Sequence, residues 1–172
     1  DSLKRVHLEL GGKAPVIVFD DADIAAVVEN LKAMSFYNSG QDCTAPCRVI
    51  AGGRVHDDFV SRLTDAVATV RMGDPMAADT NMGPVISATH QDRVAGYVDR
   101  AREAGAEVTV GGNRGSGGGF FYEPTVVAGA RQSDEIVRRE VFGPVVSVTR
   151  FKDTEQAIAW ANDSDYGLAS SV

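Results

Sequence analysis

Ala14-Pro15-Val16-Ile17-Val18-Phe19-Asp20-Asp21 opens a stretch whose hydrophobic period changes from strand-like to helical, and that change decides the fold. Ala14 to Phe19 is a short β-branched and aliphatic run closed by two aspartates, which reads as a strand. Behind the Asp capping candidates, Ile24, Val27, Val28, Leu31 and Met34 recur at helical spacing, so a helix runs up to Phe36. A strand that feeds a helix is the repeating unit of α/β proteins.

Upstream, Arg5 to Leu10 is a second strand-like run, joined to the first by a tight Gly11-Gly12 turn. Downstream the unit repeats. Arg48 to Ala51 reads as a strand; Phe59, Val60, Leu63, Val67 and Val70 mark an amphipathic helix. Met72 to Ser87, rich in Gly and Pro, is a loop packed over the surface. A helix carrying Val94, Tyr97, Val98 and Ala101 ends before Gly105, and Glu107 to Val110 is a strand. Thr125 to Ala128 and Val145 to Arg150 are further strands, Thr154 to Asn162 a helix, and Leu168 to Val172 a last strand. The alternation predicts an α/β fold, a largely parallel sheet flanked by helices. Gly111 to Gly119 is glycine-rich, but it runs into strand-like Phe120-Phe121-Tyr122 rather than a helix N-terminus. It reads as a mobile connecting loop and not as a phosphate cradle.

The bulk numbers narrow the functions. A chain of 172 residues makes about one domain, and a formal charge of −7 with scattered Lys and Arg lacks the footprint of a nucleic-acid binder or an anionic-membrane binder. No apolar run is long enough to span a bilayer. Cys43 and Cys47 do not make a disulfide framework, which fits a reducing, cytoplasmic setting. The chain begins without methionine and stops inside an apolar run, so it reads as a piece of something longer or as a processed chain.

Three segments carry chemistry. A thiol is only a few per cent thiolate at neutral pH, so a nucleophilic cysteine needs backbone amides, a helix end or a cation nearby; Cys43 sits in a small, polar loop, Ser39-Gly40-Gln41-Asp42-Cys43-Thr44-Ala45, suited to an exposed reactive thiol. Glu9 ends its strand just before two glycines, where a half-buried carboxylate can take a proton from water and the glycines leave room for backbone approach. Glu140, before Val141-Phe142-Gly143-Pro144, can accept both hydroxyls of a ribose while an aromatic walls a nicotinamide face. Each has a plainer reading: a buried inert cysteine, a solvated strand end, a surface glutamate beside a turn. Cys47 beside Pro46 looks structural, although its spacing from Cys43 also allows a metal, a reversible disulfide, or a redox or oligomerisation role without catalysis. His7, His56 and His90 are too few and too scattered for a zinc site. His7 leaves a Cys-His dyad open, but it reads better as a hydrogen-bonded group sharing a strand face with Glu9.

Taken together, Glu9-Leu10-Gly11-Gly12-Lys13, Phe36-Tyr37-Asn38-Ser39-Gly40-Gln41-Asp42-Cys43 and Glu140-Val141-Phe142-Gly143-Pro144 resemble the signature blocks of the NAD(P)-dependent aldehyde dehydrogenase superfamily, in order and spacing. Gly83-Pro84, Pro124-Thr125 and Asn162 with Tyr166-Gly167-Leu168 are similar to further family positions. The resemblance implies that Cys43 attacks an aldehyde, that its backbone N–H serves the oxyanion, and that Glu9 activates the water that hydrolyses the resulting thioester. It implies that Glu140, Phe142, Leu10 and Gly11 lie on the cofactor, NAD or NADP, with Lys13 and Arg48 in support and no metal. It also implies an N-terminal NAD-binding domain and a C-terminal oligomerisation segment outside residues 1–172, a homodimer or homotetramer, and little activity in the isolated piece. Gly40 to Ala45 with Cys47 resembles the γ-aminobutyraldehyde (1-pyrroline) dehydrogenase branch, close to betaine aldehyde dehydrogenases, which implies a cationic aminoaldehyde. A betaine aldehyde or a semialdehyde is the alternative substrate.

Overall fold

A computed structural model describes residues 3–172. Strands β1 (Pro15–Val18), β2 (Arg48–Gly52), β3 (Glu107–Val110), β4 (Thr125–Ala128) and β5 (Val145–Phe151) form one sheet in the order β1-β2-β5-β4-β3. All neighbours run parallel except β3, which pairs antiparallel with β4. The helices are α1 (Ile24–Ser35), α2 (His56–Ala68), α3 (Ala88–Glu103), the single turn α4 (Glu135–Arg138) and α5 (Thr154–Asn162).

Alternation along the strands builds two cores, because successive side chains leave a strand on opposite faces. Val16, Val18, Val49, Ala51, Val126, Val146 and Val148 meet Val28 and Leu31 of α1 and Phe59, Leu63 and Val67 of α2 on one face. On the other, Val127 and Val145 meet α3 and α4 through Val94, Val98 and Ile136, while Ile17, Ile50 and Phe151 receive Ala157 of α5. The inner strand β2 is buried along its whole length, as a parallel strand covered on both faces must be.

Local chemistry fixes the helix ends. Asp23, Ser87 and Asp153 each accept a backbone N–H of the first turn, at 3.1, 3.2 and 2.8 Å. Gly105, at φ 92°, ends α3: its N–H reaches Arg102 O and that of Ala106 reaches Ala101 O, the paired bonds of a Schellman motif.

Two expected strands are absent. Arg5 to Leu10 has no regular structure, and Leu3, Val6, Leu8 and Leu10 are exposed. A run of period two becomes a strand only beside a partner that takes its backbone groups, and the free edge of β1 is occupied instead by Ser171, through Ile17 N–H to Ser171 O and Ser171 N–H to Pro15 O, both 3.0 Å. That contact is all that remains of the strand expected at Leu168 to Val172. Phe120 to Tyr122 likewise contributes one bridge, between Tyr122 and Arg114, across the glycine-rich connection from β3 to β4.

Candidate active site

The Cys43 loop is a turn of unusual backbone. After α1, Asn38, Ser39 and Gly40 take positive φ of 48°, 59° and 70°. Two non-glycine residues in the left-handed region cost free energy, and side-chain bonds offset it. The Asn38 amide donates to Gln41 O at 2.9 Å, and Ser39 Oγ donates to Gly83 O at 2.7 Å. The loop that carries Gly83 is thereby fastened to the thiol loop, and Ile86 N–H adds a bond to Gln41 Oε1 at 2.9 Å. Beyond the turn, Asp42 Oδ1 accepts from both the N–H and the hydroxyl of Thr44, each at 2.7 Å. Cys43 lies inside this Asx turn, half-buried, and its backbone N–H donates to no acceptor among the described residues.

Glycines bring the three segments into contact. A Cβ on Gly12 would stand 2.0 Å from Cys43 O, one on Gly11 2.7 Å from Glu140 Oε2, and one on Gly40 2.1 Å from Gly143 O. Side chains at these positions would force the segments apart. Gly12 N–H also donates to Glu140 Oε1 at 2.8 Å, so the turn after Glu9 and the carboxylate of Glu140 are bonded directly.

Helix α3 holds the Glu140 segment from behind. Arg93 donates to Glu140 O at 2.9 Å, and the Glu140 N–H donates to the Tyr166 hydroxyl at 3.3 Å. Phe142 has φ 55°, and its carbonyl accepts from His90 Nε2 at 2.5 Å; a carbonyl only accepts, so Nε2 carries the hydrogen. The His90 and Phe142 rings meet edge to face with centroids 6.1 Å apart. Neither His90 nor Arg93 stood out in the sequence as a site residue. They lie three apart, which puts them on one helix face, but nothing local tells what that face meets.

An open cleft of ≈ 480 Å³ lies where these segments converge. Glu9, Leu10, Gly11, Cys43, Glu140 and Phe142 all line it, together with Gln41, Asp42 and Arg93. Three carboxylates thus face one guanidinium. Glu9 departs from the half-buried placement expected of it: it is exposed, because its segment is not a strand, and it bonds His7 Nε2. His7 does not line the cleft, so no Cys-His pair forms there. Cys43 and Cys47 are free thiols. Among the described residues no three His, Cys, Asp or Glu side chains gather around one point, and no helix is long and apolar enough to cross a membrane.

Lys13 and Arg48 lie outside this lining. Both are buried, and burial is the main force pushing each pKa down. Arg48 donates to Trp160 O at 3.0 Å and Ala161 O at 2.8 Å, so it caps the C-terminal end of α5.

The Aldehyde dehydrogenase family model matches residues 1–172. The betaine aldehyde dehydrogenase of Brucella ovis is 42% identical over 176 residues, covering 100% of this chain and 36% of that protein. Among solved structures, lactaldehyde dehydrogenase from Escherichia coli superposes with TM-score 0.91 and 45% identity, covering 94% of this chain and 34% of that one. A point mutant of betaine aldehyde dehydrogenase from Staphylococcus aureus, in complex with NAD+ and with a BME-modified cysteine, gives TM-score 0.92 and 43% identity over 95% of this chain and 34% of that one. The chain therefore spans about a third of the length of these relatives.

Proposed function

The chain belongs to the aldehyde dehydrogenase family, and from that membership we propose that residues 1–172 are the cysteine-bearing catalytic part of a longer NAD(P)-dependent enzyme that oxidises an aldehyde to its acid. The observation that carries this reading is the interlock of three sequence-distant segments, which puts Cys43, Glu9 and Glu140 on one cleft.

In this reading Cys43 Sγ attacks the aldehyde carbon and leaves negative charge on the former carbonyl oxygen. The uncommitted Cys43 N–H is a donor for that oxyanion, an interaction worth most where the charge develops. A nicotinamide dinucleotide, when bound, supplies the two-electron acceptor that turns the Cys43 adduct into a thioester. Glu9 then takes a proton from water, the water oxygen attacks the thioester carbon, and the C–S bond breaks to release the acid and restore the Cys43 thiolate. The exposure of Glu9 gives its carboxylate access to solvent water.

The residues present fit the cofactor. One Glu140 oxygen is held by Gly12 N–H while the other takes no donor among the described residues and stays available to ribose hydroxyls. Gly11, which leaves no room for a Cβ beside Glu140, keeps the backbone close to that carboxylate. Phe142, fixed through His90, is half-buried in the lining and offers a ring to the nicotinamide.

A cationic aminoaldehyde such as 4-aminobutyraldehyde suits a cleft in which Glu9, Asp42 and Glu140 outnumber Arg93. Betaine aldehyde is also cationic and is the second reading, favoured by the names of the relatives. The test is kcat/KM of the longer enzyme for 4-aminobutyraldehyde, betaine aldehyde, neutral butyraldehyde and an anionic semialdehyde. The two cations should lead by about tenfold or more, the yield of roughly 1.4 kcal/mol of electrostatic preference. A preference for the semialdehyde would defeat the cationic assignment. Assembly as a homodimer or homotetramer accompanies the proposal.

A further inference from the structure

Behind the Gly11–Gly12 turn lies a second cavity of ≈ 280 Å³, bordered by Lys13, Arg48 and the segment after α5. It shares no lining residue with the Cys43 cleft. Two cations are buried at its wall, Lys13 at 3% and Arg48 at 1% exposure. Two nitrogens of Arg48 are engaged by the carbonyls of α5, but its buried Nε has no partner among the described residues. The Lys13 ammonium forms no hydrogen bond or ion pair with any described residue.

A buried cation is costly where no acid pairs with it directly, and neither Lys13 nor Arg48 has an ion pair among the described residues. Asp163 pairs instead with Arg138 at 2.7 Å, and Glu140 acts on Lys13 only through space, with one of its oxygens held by Gly12 N–H. Hydroxyl donors complete the lining: the Tyr166 hydroxyl accepts the Glu140 N–H, which leaves its own hydrogen to give, and Ser164 and Ser170 stand beside it. Pro15 and Leu168 make part of the wall apolar. The volume exceeds what a halide fills and accommodates several heavy atoms. We propose that this cavity binds a small organic carboxylate, its head on the Lys13 ammonium beside the Arg48 guanidinium and its short apolar tail against Leu168 and Pro15. A bare inorganic anion meets the two cations equally well but leaves Leu168 and Pro15 facing charge.

The test needs no turnover, so it stands apart from the fate of the aldehyde dehydrogenase reading. Propionate is titrated into the full chain at constant ionic strength while backbone amide shifts are followed by NMR, with propionamide and inorganic phosphate as parallel probes. Saturable shifts are expected at Ser164, Tyr166, Gly167 and Ser170, with none at Gly11 or Cys43 and none from propionamide. Lys13→Gln, which removes a buried charge, should weaken propionate at least tenfold. Equal shifts from propionamide, equal shifts from phosphate, shifts centred on Gly11 and Cys43, or unchanged affinity in Lys13→Gln would each overturn the proposal; the probe comparisons on the wild-type chain decide it even where the variant folds poorly.

Discussion

Cys43 and Cys47 stand four residues apart and differ in surroundings. Cys43 lines the cleft, whereas Cys47 lies just before β2, where its carbonyl accepts the Ser147 N–H at 3.0 Å. Iodoacetamide labelling followed by peptide mass mapping should therefore modify Cys43 at least tenfold faster than Cys47, and equal rates would favour a thiol without catalytic duty. The residue types announce Cys43, Glu9 and Glu140, because a thiol in a small polar loop and carboxylates beside glycine turns suggest chemistry without any knowledge of the fold. His90 and Arg93 carry no such mark. Their bonds reach Phe142 and Glu140 across 52 and 47 residues, so only the folded chain reveals them. Loss of the His90 bond frees Phe142 to leave its left-handed conformation. His90→Ala should raise the nucleotide KM by roughly tenfold, the worth of one hydrogen bond, with a smaller change in kcat. An unchanged KM in steady-state kinetics would remove His90 from the cofactor site.

The elements were legible to differing degrees for one physical reason. Helices α1, α3 and α5 announce themselves through periodicity and caps, which are local, and Gly105 marks the end of α3 through a backbone conformation that other residues adopt at a cost. Strands depend on partners. Arg5 to Leu10 has a strand's pattern yet no neighbour among the described residues, while β1 finds its partners in β2 and Ser171. The turn from Asn38 to Gly40 is the element on which the site most depends. At Gly40 a side chain meets both a positive φ and the Gly143 carbonyl. Gly40→Ala should cost about 1–3 kcal/mol in denaturant unfolding and slow Cys43 alkylation as the loop shifts. Unchanged stability and alkylation would mean that the loop is not seated against Gly143.

For the whole molecule, a doubly covered sheet leaves little room for polar groups that lack a partner, and Tyr122 is one of the few. Its side chain is buried, its hydroxyl has no partner among the described residues, and burial pushes its pKa up to about 12. Between about pH 10, where the unfolded chain loses this proton, and about pH 12, the folded chain alone retains it, so the contribution of Tyr122 to stability is complete below pH 10 and falls as pH rises through that window. Tyr122→Phe should flatten that alkaline decline and leave neutral-pH stability unchanged or higher by roughly 1 kcal/mol, checked by urea unfolding across pH. The sheet order was not legible, because β5 inserts between β2 and β4 only through long-range pairing, and that insertion helps bring the Glu140 segment against the thiol loop. Convergence of these distant segments into one working centre is tested most directly by quenching the longer enzyme, carrying Glu9→Gln, during reaction with 4-aminobutyraldehyde and NAD+, and locating the acyl mass by peptide mapping. An acyl group that accumulates on Cys43, and is absent when Cys43 is also replaced by Ala, is the expected result; no acyl group on Cys43, or acylation of Cys47 instead, would contradict it.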